Sequence, residues 1–148
     1  MATEREAKPG QRILPEFVVV GTIGQTVGGK VVKFDSNSNG AFVVLSPVCL
    51  RTAIGGAWYQ YASAAFGIGA DIGRKVDARR DVGKFLLFQF VDTEATNKGS
   101  MKRIFKVIEL DPPEVAALLR KAENKDAERA AAIAASGGSV VPPLFPPA

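Results

Sequence analysis

The sequence predicts a mainly β fold with one helix between its third and fourth strands and another at the C-terminal end. Three observations carry that prediction. Five short runs are rich in Val, Ile, Leu and Phe and are separated by clusters of Gly, Asn, Asp and Ser, the pattern of strands and turns. One Ala-rich stretch that follows "DPPE" has helical composition and a helical start signal. The length, 148 residues, suits one domain with a genuine core plus tails.

"EFVVVGTIG" and "KVVKFD" lie on either side of a Gly-Gly pair and predict a hairpin, with strands at about 17–24 and 29–35. "GAFVVLS", entered through the turn-rich "DSNSNG", predicts a third strand at 40–46. Ser46 and Pro47 have the residue types of an N-cap and a first helical position, so a helix is predicted through "PVCLRTAIGGAWYQYASAAFG". Gly55 and Gly56 weigh against it, and "AWYQYA" taken alone reads as a strand. The glycine-rich, charged connection "GIGADIGRKVDARRDVG" leads to the strand "KFLLFQFVD", and the polar loop "TEATNKGS" leads to the strand "MKRIFKVIEL". Asp111 as N-cap and the prolines after it open a helix over 111–135 that "SGGS" ends. The prolines of "VVPPLFPPA" exclude helix and central strand, so that tail is expected to be extended. The expected organisation is an arm at 1–16, a domain at 17–110, a helix at 111–135 and a Pro-rich tail at 136–148.

Composition narrows the chemistry. The chain has no histidine and a single cysteine, Cys49, which leaves no internal disulfide, no cysteine cluster for zinc and no imidazole base. The N-terminal "MATEREAKPGQR" has no apolar segment of the secretory kind, so a cytoplasmic location is expected. The uncharged stretch Thr52–Ala70 approaches the length of a membrane span, but Tyr59, Gln60, Tyr61 and Ser63 fall at its middle and strands flank it, so no span is expected. The formal charge is +4, whereas residues 17–110 alone hold +5, a surplus that fits nucleic acid or another anionic partner.

Two glycine motifs invite a nucleotide and neither fits one. In "GTIGQTVGGKVV", Gly24, Gly29 and Lys30 have phosphate-loop spacing, yet Val31 replaces the Ser or Thr that binds magnesium, and a β-branched run replaces the helix. In "GIGADIG", the spacing of Gly67, Gly69 and Gly73 departs from the dinucleotide fingerprint, so a flexible connector is expected. Asp71, Asp77 and Asp81 alternate with Arg74, Lys75, Arg79 and Arg80, which reads as a solvated charged segment rather than a carboxylate site. Cys49, at the start of the predicted helix and without a histidine, reads as a buried structural thiol. No catalytic residue, metal site or cofactor is predicted, and the chain is not expected to be an enzyme.

The last two strands mix rings and cations. Period-two counting puts Lys84, Phe88 and Phe90 on one face of the first, and Lys102 and Lys106 on one face of the second with Arg103 and Phe105 on the other. Lys98 lies in the loop between them, and Lys30, Lys33 and Phe34 add the same mixture to an earlier strand. Single-stranded nucleic acid binds such surfaces, bases on rings and phosphates on cations, although most strand phenylalanines belong to cores.

Three strands, a helix and two strands over 17–110 resemble the OB fold, a five-stranded Greek-key barrel. "VGKFLLFQFVDTEATNKGSMKRIFKVIEL" is similar to the last hairpin of small OB-like proteins of bacteriophage genomes. The resemblance implies a ligand across the second and third strands, flanked by the loops "QTVGGK" and "TEATNKGSMKR", with Lys30, Lys98, Lys102 and Arg103 at the rim. It also implies a non-catalytic module for single-stranded nucleic acid, DNA first, in replication, recombination or repair. The Whirly-type fold, with a similar element order, implies the same ligand. The alternative is an assembly subunit of a virion or large complex, as a homo-oligomer or with its tails on neighbours, Leu144 and Phe145 anchoring the C-terminal one between prolines.

Overall fold

The computed structural model describes residues 17–135. Its centre is a hairpin of two long strands, β2 (Thr26–Asn37) and β3 (Gly40–Arg51), turned through Ser38 and Asn39 with Gly40 at φ 124°. Both strands are irregular at the same place. The register of β2 shifts between Gly29 and Val31 and again between Val31 and Lys33, and across from these shifts β3 carries Ser46–Pro47, joined by a cis peptide. Gly29 lies inside this bend. A Cβ there would stand 2.4 Å from the Pro47 carbonyl oxygen and 2.8 Å from Leu45 Cβ, so the close approach of the strands depends on glycine.

The bend divides the far edge of β3 between two partners. Val48–Arg51 pair with β4 (Trp58–Tyr61), and Phe42–Leu45 pair with β5 (Ala64–Gly67). Ser46 Oγ donates to the Ala62 carbonyl at 2.7 Å where β4 gives way to β5. On the free edge of β2 lies β6 (Phe85–Ala95), and β7 (Met101–Leu110) pairs with β6. The short β1 (Phe17–Val18) runs parallel to β5, so the sheet path is β1-β5-β3-β2-β6-β7, with β4 beside β3.

Both faces of the sheet are used. Val27, Val43, Leu45, Val48, Leu50, Phe88, Phe90 and Phe105 belong to the main core. The opposite face presents Cys49, Trp58 and Phe85, which α2 (Pro112–Lys121) covers with Leu118, Val115 and Leu119. A capping box starts α2: the Glu114 N–H donates to Asp111 Oδ1 and the Asp111 N–H to Glu114 Oε1, each at 3.0 Å. The single helix expected over 111–135 is interrupted. Glu123–Asn124 form β8 alongside Tyr59–Gln60 of β4, and α3 (Asp126–Ala135) follows.

Two further expectations need correction. The strand pair 17–24 and 29–35 is not a hairpin, because β1 ends at Val18 and joins β5, and β2 starts at Thr26. The helix expected from Pro47 is strand: Val48, Cys49 and Leu50 are all buried because both faces of the sheet are covered there, which erases alternation, and Gly55 at φ 79° turns the chain into β4. Among the described residues, the only helix between β5 and β6 is the single turn α1 (Ala70–Gly73). No helix among them is long and apolar enough to cross a membrane.

The sequence predicts a five-stranded OB-like barrel, and the sheet of the described residues is open. Among the described residues no strand pairing joins β5 to β7. β5 is four residues long, and the chain then turns into α1, whose Asp71 Oδ2 accepts the Phe105 N–H at 2.8 Å. Lys75 Nζ donates to the Phe105 carbonyl at 2.7 Å. These two side chains take the backbone groups that a closing strand would have used.

Candidate functional site

The segment from α1 to β6 is built on two buried carboxylates, not on solvated ones. Asp71 and Asp81 are each 3% exposed. Asp71 holds Lys75 Nζ at 2.9 Å and Arg74 Nη2 at 3.2 Å in addition to the Phe105 N–H. Asp81 accepts the Asp77 N–H at 2.8 Å and both Nε and Nη2 of Arg80 at 3.0 and 3.1 Å, with Lys84 Nζ 3.7 Å away. Asp77 in turn receives the N–H groups of Arg79 and Arg80. Burial raises the Asp71 pKa, but the Phe105 N–H, Lys75 and Arg74 together outweigh it and hold the carboxyl below its ordinary value. The Arg80 hydrogen bond does most to lower Asp81, against the same penalty of burial. Both acids therefore stay ionised and fix the cations around them.

What they fix is one wall of a groove. Lys75, Arg80, Lys84 and Lys106 line a cleft of about 580 Å³ beside β7, with Asp81 and Glu109 as its carboxylates. Its floor includes the edge of β7 that pairs with no strand among the described residues. The Phe105 N–H and carbonyl face α1, so strand alternation turns those of Val107 and Glu109 to the same side. Phe105 also borders a second, more apolar cleft of about 360 Å³, whose wall includes Phe17, Phe66, Met101, Lys102 and Arg103. Phe105 lines both clefts, so they follow one another along the β7 edge as an interrupted channel, with the Asp71 and Lys75 contacts to Phe105 between them.

The residues singled out in the sequence divide between this channel and other places. Lys84 and Lys106 line the first cleft, Lys102 and Arg103 the second. Lys84 is also 3.4 Å from Glu109, and Lys102 is 3.1 Å from Glu94. The Arg103 guanidinium sits 6.0 Å from the Phe90 ring centre. Lys30 is exposed but shares a face with its register partner Phe85, the face that α2 covers. Lys33 pairs with Asp35 beyond the bend, and Lys98 stands in the β6–β7 turn. Phe88, Phe90 and Phe105 are buried core rings and Phe34 is half-buried against the core, so the expected stacking surface on β6 and β7 is not available. Leu144, Phe145 and the N-terminal arm lie outside the described residues.

The glycine-rich stretch is neither a phosphate cradle nor the expected binding loop. Gly24, at φ 101°, ends a turn, and Gly28 and Gly29 lie in β2 between β3 and β6. Cys49 stands in β3, not at a helix start, and burial pushes its thiol up to about 12, which disfavours the thiolate. Among the described residues no cluster of acids and cysteine could hold a metal ion.

Sequence reasoning passed over Lys75, Arg80 and Phe17. The first two belong to the segment set aside as a connector, where the spacings Asp71 to Lys75 and Asp81 to Lys84 are those of neighbours on a helical turn. That was the available signal. Phe17 was hidden in a run read as strand, whereas β1 stops after one further residue and leaves the ring 45% exposed. No protein-family model, no curated protein and no solved structure matches this chain.

Proposed function

We propose that this chain binds single-stranded nucleic acid, DNA by preference, without catalysis, as a module of replication, recombination or repair. One observation carries the reading: Lys75, Arg80, Lys84, Lys106, Lys102 and Arg103, from two parts of the chain, line two successive clefts along the β7 edge that no strand pairs among the described residues. Buried Asp71 and Asp81 hold several of these cations in place, which lowers the ordering cost of meeting a phosphate chain. A flexible single strand follows such a channel and releases counterions as it does so. The strand order supports an OB-like Greek key as the underlying architecture. With β4 and β5 counted as one interrupted strand, the order is third, second, first, fourth, fifth, and OB barrels are themselves partly open.

Fluorescence anisotropy of a labelled single-stranded oligonucleotide, with duplex as control and salt as variable, tests the reading. Single strands are expected to bind more tightly than duplex. Lys106→Ala is expected to weaken binding and to reduce the salt slope by about 0.7, the share of one single-strand phosphate. Absence of binding at low salt would overturn the proposal. The assembly reading has its own support in the exposed Ile23 and Ile54, which flank Gly24. A sedimentation coefficient that rises with concentration, and no longer does so in Ile54→Asp, would favour it.

A further inference from the structure

The second cleft has features that phosphate contacts alone do not explain. Its wall is mainly apolar, and it carries the exposed ring of Phe17, held edge-on against Phe42 with ring centres 5.1 Å apart and planes at 70°. Met101 is 61% exposed beside it, and Phe66 and Phe105, in edge contact at 5.7 Å, close its inner side. Lys102 and Arg103 supply positive charge. A volume of about 360 Å³ is within the range of sites for small planar ligands. The half-open shape suits a ring inserted from the surface rather than a long acyl chain, and the cations oppose a second copy of the same face.

We infer that this cleft takes one unstacked nucleobase, set against the Phe17 ring, from a strand whose phosphates continue past Phe105 into the cationic cleft. The inference rests on the single-strand reading and adds to it a base-binding subsite outside the β6 and β7 faces where the sequence placed stacking. Phe17 is supplied by the shortest strand of the sheet path and Arg103 by the edge strand, so the subsite exists only because β5 and β7 do not pair. The cationic cleft begins at the same residue, Phe105, which suits a base within a chain better than a free nucleoside.

The test compares a labelled oligothymidylate with a strand of the same length made of abasic sites, in the same anisotropy assay. Phe17→Ala is expected to weaken oligothymidylate binding by about tenfold, the worth of one stacked base, with the abasic affinity and the salt slope unchanged. Phe17→Trp is expected to keep the affinity and to show quenching of the added indole by oligothymidylate but not by the abasic strand, a signal that requires a folded protein. Equal affinities of wild type and Phe17→Ala for oligothymidylate, or an unquenched indole in a binding-competent Phe17→Trp, would overturn the subsite and leave the cationic channel standing. A wild-type protein that binds neither strand would overturn both.

Discussion

At the scale of single residues, glycines decide what the central strands can do. Gly28 and Gly29 are adjacent in β2, yet a methyl group added to each meets different matter. At Gly28 it meets Leu87 Cδ2, the end of a flexible side chain, and at Gly29 the Pro47 carbonyl oxygen and Leu45 Cβ. Backbone cannot rotate out of the way as a leucine can. Gly29→Ala is therefore expected to cost about 1–3 kcal/mol in chemical denaturation, and more than Gly28→Ala. Equal costs would show that the bend relaxes freely. The two glycines stood out in the sequence, but their spacing to Lys30 suggested phosphate and then a loop. The reason they are needed, the approach of β3 at Ser46–Pro47, is a long-range contact that no local window contains. Cys49 is the opposite case: its burial was legible in the sequence, although its secondary structure was not.

At the scale of elements, the attachment of α1 to β7 replaces a strand pairing. Asp71 carries the Phe105 N–H and two cations, which hold its carboxyl below its ordinary pKa. A lowered carboxyl pKa contributes stability that is fully present above the unfolded value and is lost as pH falls through the folded one. Asp71→Asn is expected to lower stability at pH 7 by about 1–3 kcal/mol, and the difference from wild type should begin to narrow below about pH 4, where the unfolded carboxyl protonates, and go on narrowing as pH falls through the lower folded pKa. Denaturant titrations at several pH values check this. A difference that stays constant down to pH 2 would contradict the account. The start of α2 was readable because a capping box and prolines are local signals. The end of β3 was not, because burial on both faces gave "PVCL" the same apolar run that a buried helix has. The four-residue α1 is too short to leave any period at all.

At the scale of the whole molecule, the sheet stays open between β5 and β7, and both clefts lie along that opening. The surplus of positive charge in residues 17–110 was legible in the sequence, and so was a mainly β class. Its placement was not. Lys30 and Lys33 fall away from the channel, while Lys75 and Arg80 enter it because buried carboxylates turn their segment back toward β7. Burial of Phe88, Phe90 and Phe105 follows from the same closure by α1, which makes the inner faces of β6 and β7 core instead of binding surface. The most direct measurement is an amide NMR titration of the isotope-labelled protein with a single-stranded oligonucleotide. The account predicts shifts concentrated at 71–84 and 101–109 and at Phe17, with little change around Lys30 and Lys33. Shifts centred on Lys30, Lys33 and the β2–β3 turn, or none at saturating oligonucleotide, would contradict it.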